Sequence, residues 1–153
     1  MNQSMTVQQA LQLAIDAEIK AYNLYMNTSK NITGAGTKAM LVELANQELG
    51  HRKLLENVVR KDDYEILEKN VPQDSQGISD FLVVSELDVN ATPQDVMIFA
   101  MREEQKAFNF YTDLQNYFAG SELENLFSRL AAEEQQHKIK LENEYDEHFL
   151  KDN

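Results

Sequence analysis

Two short stretches carry the residues best suited to chemistry: Glu48-Leu49-Gly50-His51 and Glu134-Gln135-Gln136-His137. Each is a Glu-x-x-His unit. On a helix, residues three apart lie about one turn from each other, so carboxylate and imidazole project side by side from one face as a chelating pair. Each unit has an acidic partner at the same remove upstream: Glu18 lies 30 residues before Glu48, and Glu104 lies 30 before Glu134. One such pair in an acidic helical chain is weak evidence of anything. Two pairs with equally spaced partners point to a metal site.

The elements that must position these groups show the same repetition. Glu18 and Glu104 are 86 apart, and that offset also matches Thr6 with Thr92, Ala14 with Ala100, Lys20 with Lys106 and Tyr25 with Tyr111. It continues through Gly34 and Gly120, Leu44 and Leu130, His51 and His137, and Leu55 and Leu141. A period this long makes each half one supersecondary unit that needs its copy to bury an apolar side. The chain therefore reads as a duplication, with the candidate ligands meeting near a pseudo-twofold axis.

Composition sets the outer bounds. At 153 residues the chain is one domain able to bury a core without staples. It contains no cysteine, which excludes disulfides, zinc ribbons, iron–sulfur clusters and thiol catalysis. A net charge of −12 repels phosphate backbones and anionic membranes, so nucleic acid and membrane are not expected partners. The first thirty residues lack the apolar centre of a signal peptide, and no run is long enough to span a membrane. The expected location is the cytoplasm.

The expected architecture is all-α: a four-helix bundle made of two antiparallel helix pairs, about residues 6–60 and 92–149, joined by a long crossover at about 61–91. Thr6 with Gln9 predicts a capped start for the first helix, whose stripe of Leu11, Ala14, Ile15, Tyr22 and Tyr25 has Glu18 at its centre. Ile32-Thr33-Gly34-Ala35-Gly36 predicts the turn, and a second helix follows from about Thr37 past Arg60. Residues 70–77 read as loop, and 78–84 as either a short helix or an extended apolar segment lying on the bundle or on a second subunit. Thr92-Pro93-Gln94-Asp95 opens the third helix, and Ser121 with Glu124 is expected to form a capping box for the fourth.

All four helices thus place acid in the middle of an apolar face. Burying four bare carboxylates costs several kcal/mol each even after relaxation, a sum that a stability of about ten does not tolerate. Lys20, Lys53, Lys106 and Lys138 fall off these faces and cannot compensate. Two divalent cations would balance the four carboxylates, and two neutral imidazoles would complete the ligand set.

This pattern of one Glu from each of two helices and Glu-x-x-His from each of the other two resembles the ferritin-like di-iron carboxylate proteins, most of all the rubrerythrin-type domain, over about Thr6 to Phe149. The resemblance implies two iron ions per chain. Glu48 and Glu134 would bridge them, Glu18 with His51 and Glu104 with His137 completing one ion each. Spacing alone fits manganese equally. The resemblance further implies reaction of reduced metal with hydrogen peroxide or oxygen, as a peroxidase or ferroxidase in oxidative stress or iron homeostasis. A non-enzymatic iron-handling protein and a manganese catalase-like enzyme are the alternatives.

Several positions depart from that pattern. Typical rubrerythrins place a further carboxylate where this chain has Ala107, matched by Ala21. They also carry a cysteine-bearing rubredoxin domain, so here electrons are expected from another, rubredoxin-like protein. Leu49 stands where bacterioferritins have a haem-ligating Met, so no haem is expected, and little chain remains after Phe149 for the fifth helix of a ferritin cage. A homodimer or larger homo-oligomer is the expected assembly. Tyr25 and Tyr111, two turns beyond Glu18 and Glu104, are read as phenols that orient a ligand carboxylate. Tyr22, Phe108 and Met97 are read as core. Glu103 and Glu133, turned about 100° from the stripe centres, are read as solvated, and His148 as exposed.

Overall fold

The computed structural model describes residues 4–60, 67–72, 75–83 and 85–150. These fall into two units, Met1–Gln73 and Asp74–Asn153. Part of the expected crossover, residues 61–66, 73–74 and 84, lies outside the described residues.

The first unit is a helical hairpin closed by a small ribbon: β1 (Ser4–Thr6), α1 (Val7–Asn31), α2 (Ala35–Arg60) and β2 (Asn70–Pro72). Thr6 caps α1 with the expected box: its Oγ1 accepts the Gln9 N–H at 3.1 Å, and Gln9 Oε1 accepts the Thr6 N–H at 2.9 Å. Gly34 makes the turn at φ 100°, a conformation that side-chain-bearing residues resist. Along α1, Leu11, Ala14, Ile15 and Tyr25 are buried, and along α2 Leu41, Leu44, Ala45 and Leu55, the helical spacing of two facing apolar stripes. The ribbon is a departure from the loop expected at 70–77. β1 and β2 pair antiparallel with Met5 opposite Val71, both buried, and the Val7 N–H donates to the Lys69 carbonyl at 2.8 Å. Three-residue strands are too short to show alternation, which is why the sequence reads there only as punctuation.

The second unit contains α3 (Gln76–Phe81), α4 (Pro93–Tyr117), α5 (Glu122–Tyr145) and a closing π-helical turn, Asp146–Leu150. The segment at 78–84 is thus helical as far as Phe81, and it lies against α4. Phe81 stacks on Phe110 with ring centroids 4.0 Å apart. Asp113 Oδ2 accepts the Ile78 N–H at 3.2 Å, and Lys106 Nζ donates to the Val83 carbonyl at 2.9 Å. Gly77 permits this approach, since a Cβ there would overlap the Asn109 carbonyl and the Asp113 carboxylate.

Thr92 and Asp95 cap α4 reciprocally, with Pro93 in the first turn. The box expected at Ser121 does not form. Its hydroxyl donates back to the Phe118 carbonyl at 2.7 Å, and Glu124 Oε2 instead accepts the Gly120 N–H at 3.2 Å. The tight turn at Gly120, φ 86°, brings these groups nearer than the first amides of α5. Met97, Ala100, Phe110, Tyr111 and Leu114 pack with Leu123, Phe127, Leu130 and Leu141 as the unit's buried face. Tyr22, Phe108 and His148 are half-buried, so the first two are less enclosed, and the last less exposed, than expected. Met97 is buried, in keeping with core filling.

Candidate metal centre

Within the first unit, α1 supplies Glu18 and α2 supplies Glu48 and His51, one turn apart on the buried face. His51 Nδ1 lies 3.5 Å from Glu18 Oε1 and 3.5 Å from Glu48 Oε1. The second unit repeats the arrangement: His137 Nδ1 lies 3.6 Å from Glu104 Oε1 on α4 and 3.5 Å from Glu134 Oε1 on α5. The two triads agree to 0.1 Å, so the duplication visible in sequence persists in side-chain placement. All six residues are only 1–3% exposed. In each triad the three residues can offer one ligand atom apiece within 4.8 Å of one another.

The donor set decides what such a triad can hold. A nitrogen and an oxygen 3.5 Å apart are too distant for a good hydrogen bond. They lie within the roughly 4.2 Å that two donors can span when each sits about 2.1 Å from a shared ion. Charge gives the same answer. Protonating the histidine would offset only one of its two carboxylates, leaving each triad with a buried negative charge, whereas one divalent cation neutralises the pair and lets the imidazole stay neutral. The lysines near in sequence serve elsewhere: Lys106 reaches Glu103 and the crossover, Lys138 pairs with Glu142, and Lys20 and Lys53 are exposed. The residues present fit a divalent metal.

The neighbouring acids are placed as solvated groups. Glu103 lies 3.6 Å from Lys106 Nζ, and Glu133 accepts from Arg129 Nε at 3.0 Å, both half-buried. Tyr25 and Tyr111 are buried, and Tyr111 packs among aromatics, stacked at 6.3 Å from Phe127 and edge-on at 5.5 Å from Phe110. Ala107 is buried and Ala21 half-buried, so neither adds a donor. Asp113 fastens α3 to α4, a role without a signal in the sequence, since an isolated acid outside any spacing pattern predicts nothing.

Comparison with known proteins bears on the same residues. A family model described as Rubrerythrin matches residues 9–82, a span that includes Glu18, Glu48 and His51. A solved structure from Thermotoga maritima, described as a ferritin-like diiron-carboxylate protein, aligns with 96% of this chain and 99% of its own, at a TM-score of 0.76 and 19% identity. The likeness is one of fold, and it runs almost the full length of both chains. A hypothetical protein from Pyrococcus furiosus is also similar, at TM-score 0.71 and 25% identity over 93% of this chain and 89% of that one. No curated protein matches the sequence significantly. The fold class of this chain is the ferritin-like helical bundle. No helix among its described residues is long and apolar enough to cross a membrane.

Proposed function

We propose that this ferritin-like protein is a di-iron oxidoreductase in which Glu18, Glu48 and His51 hold one ion and Glu104, Glu134 and His137 a second. The observation that carries the reading is the pair of buried triads, each with two carboxylates and one imidazole and each in need of one divalent cation. When bound, the irons supply the Lewis acidity and the electrons for reducing dioxygen or hydrogen peroxide.

The chain's own residues would set the terms of that chemistry. Four carboxylates against two imidazoles make a hard, anionic donor set, which favours the more highly charged oxidised ion and so makes the reduced state a ready electron donor. Burial keeps bulk water from competing for the site and strengthens each electrostatic contact within it. The phenols of Tyr25 and Tyr111 would donate hydrogen bonds to ligand carboxylates, fixing their orientation. With no cysteine in the chain to hold a redox centre of its own, the reducing equivalents would come from a separate donor.

The test is anaerobic titration with ferrous iron followed by stopped-flow mixing with dioxygen and, separately, with peroxide. About two irons per chain and rapid oxidation by either oxidant are expected. Binding that persists in the Glu48→Gln, Glu134→Gln double variant, or oxidation no faster than that of free ferrous iron, would overturn the assignment. Faster reaction with peroxide identifies a peroxidase and faster reaction with dioxygen a ferroxidase. Iron released intact without turnover would identify a carrier.

A further inference from the structure

The two halves match in the triads but not in what surrounds them. In the second unit an unbroken series of rings runs from the buried Tyr111 to the surface. Tyr111 stacks with Phe127 at 6.3 Å, Phe127 meets Phe118 at 5.9 Å, and Phe118 meets Tyr117 edge-on at 4.9 Å. Phe127 and Phe118 are buried, while Tyr117 is 45% exposed at the end of α4. The corresponding positions of the first unit, 86 residues earlier, are Tyr25, Leu41, Ile32 and Asn31. The buried tyrosine is kept in both units. The route outward exists in one.

Core packing alone does not require this. Leu41 and Ile32 fill the equivalent places in the first unit and are as well buried as their aromatic counterparts. What the aromatic version adds is a continuous π path between two phenols, the side chains here most readily oxidised by one electron. Tyr111 lies seven residues beyond Glu104 on the same helix, a rise of about 10 Å, and Tyr117 a further six residues on, about 9 Å. Both are short steps for electron tunnelling, and the two phenylalanine rings bridge the second.

We infer that Tyr111, Phe127, Phe118 and Tyr117 conduct single electrons from the surface to the metal site of the second unit, Tyr117 being the exposed ring at which a small reductant of the ascorbate or phenol class gives up its electron. The inference rests on the di-iron reading. It resolves an electron deficit in that reading, because full reduction of dioxygen to two waters takes four electrons and two ferrous ions provide two. Without other electrons the balance is O2 + 2 Fe2+ + 2 H+ → 2 Fe3+ + H2O2. With two electrons delivered along the rings it becomes O2 + 2 Fe2+ + 2 e− + 4 H+ → 2 Fe3+ + 2 H2O, and no peroxide escapes. Each passage oxidises the Tyr117 phenol to the phenoxyl radical, its proton leaving to solvent and its electron moving inward. The surface reductant then returns one electron and solvent one proton.

The experiment loads the protein anaerobically with ferrous iron, admits dioxygen in the presence of a nitroso spin trap, and maps covalent adducts by peptide mass spectrometry. Peroxide release with ascorbate present is measured in parallel. A trap adduct at Tyr117 is expected, falling to background in the Phe118→Ile, Phe127→Leu double variant, which installs the aliphatic residues of the first unit. Tyr117→Phe leaves the core untouched and should raise peroxide release toward about one molecule per two irons oxidised. An adduct that persists in the double variant would show direct surface oxidation and overturn the inference, as would peroxide release unchanged by Tyr117→Phe. So would the absence of an adduct at Tyr117 in the unaltered protein while its iron is oxidised. Iron that neither binds nor oxidises is seen directly in the absorbance and overturns both this inference and the reading on which it rests.

Discussion

Removing the ligand carboxylates should change the sign of a stability effect. In the metal-free protein each triad crowds two buried carboxylates around one imidazole, and the repulsion between the two acids opposes folding. Replacing Glu48 and Glu134 with Gln preserves shape and leaves each triad one carboxylate for its histidine. The apo double variant should therefore be more stable than the apo protein, by up to about 3–4 kcal/mol, the repulsion of two unit charges ~4–5 Å apart at an effective dielectric of about 20. Adding metal should reverse the order. At free ferrous iron about 100-fold above the dissociation constant, one site contributes about 2.7 kcal/mol to the unaltered protein, and two independent sites about twice that. At about 2–4 °C per kcal/mol for a chain of this size, the melting temperature should rise by roughly 10–20 °C, while the variant moves little. Anaerobic thermal denaturation followed by circular dichroism, with and without ferrous iron, reads both effects. An apo variant less stable than the apo protein, together with an equal metal response in the two, would refute the charge argument.

Three smaller predictions follow from single contacts. Glu103→Gln and Glu133→Gln should each leave the iron stoichiometry unchanged and shift stability by no more than about 0.5 kcal/mol, because these acids meet surface cations; loss of an iron in elemental analysis would make either a ligand. Gly77→Ala should destabilise by about 1–3 kcal/mol in urea denaturation and speed amide exchange at Ile78, since the new methyl displaces the Asn109 carbonyl and Asp113 from α3. Thr92→Ala should cost about 1 kcal/mol and Ser121→Ala measurably less, because only the threonine accepts an amide of the helix it begins; equal losses would mean that the serine caps in solution.

The two buried triads and the helices that bear them are legible in the sequence because one period governs both. Glu18 interrupts a stripe of Leu11, Ala14, Ile15 and Tyr25, and Glu104 does so at the matching place, so position and chemistry are signalled together. Signals that depend on a single helix, such as the boxes at Thr6 and Thr92, also survive, since the groups involved are three residues apart. Where neighbouring turns compete, the sequence misleads. Ser121 has the right spacing to Glu124, yet the Gly120 turn gives both side chains closer partners. The ribbon between residues 4–6 and 70–72 is set by chain closure over more than sixty residues, which no local pattern records. The ring series is hidden for a related reason: Tyr111, Phe118 and Phe127 come together only once α4 and α5 pack.

That ribbon also bears on how such a chain could arise. By pairing Ser4 with Pro72, it brings the way out of the first unit beside the way in. A module whose two ends are adjacent can be joined in tandem to a copy of itself through a modest linker, with neither copy unravelling to accommodate the junction. A gene for one such module would need only to be copied in frame. Each copy would then be free to diverge wherever twofold sameness is not required, as the rings of one half and the aliphatic side chains of the other do.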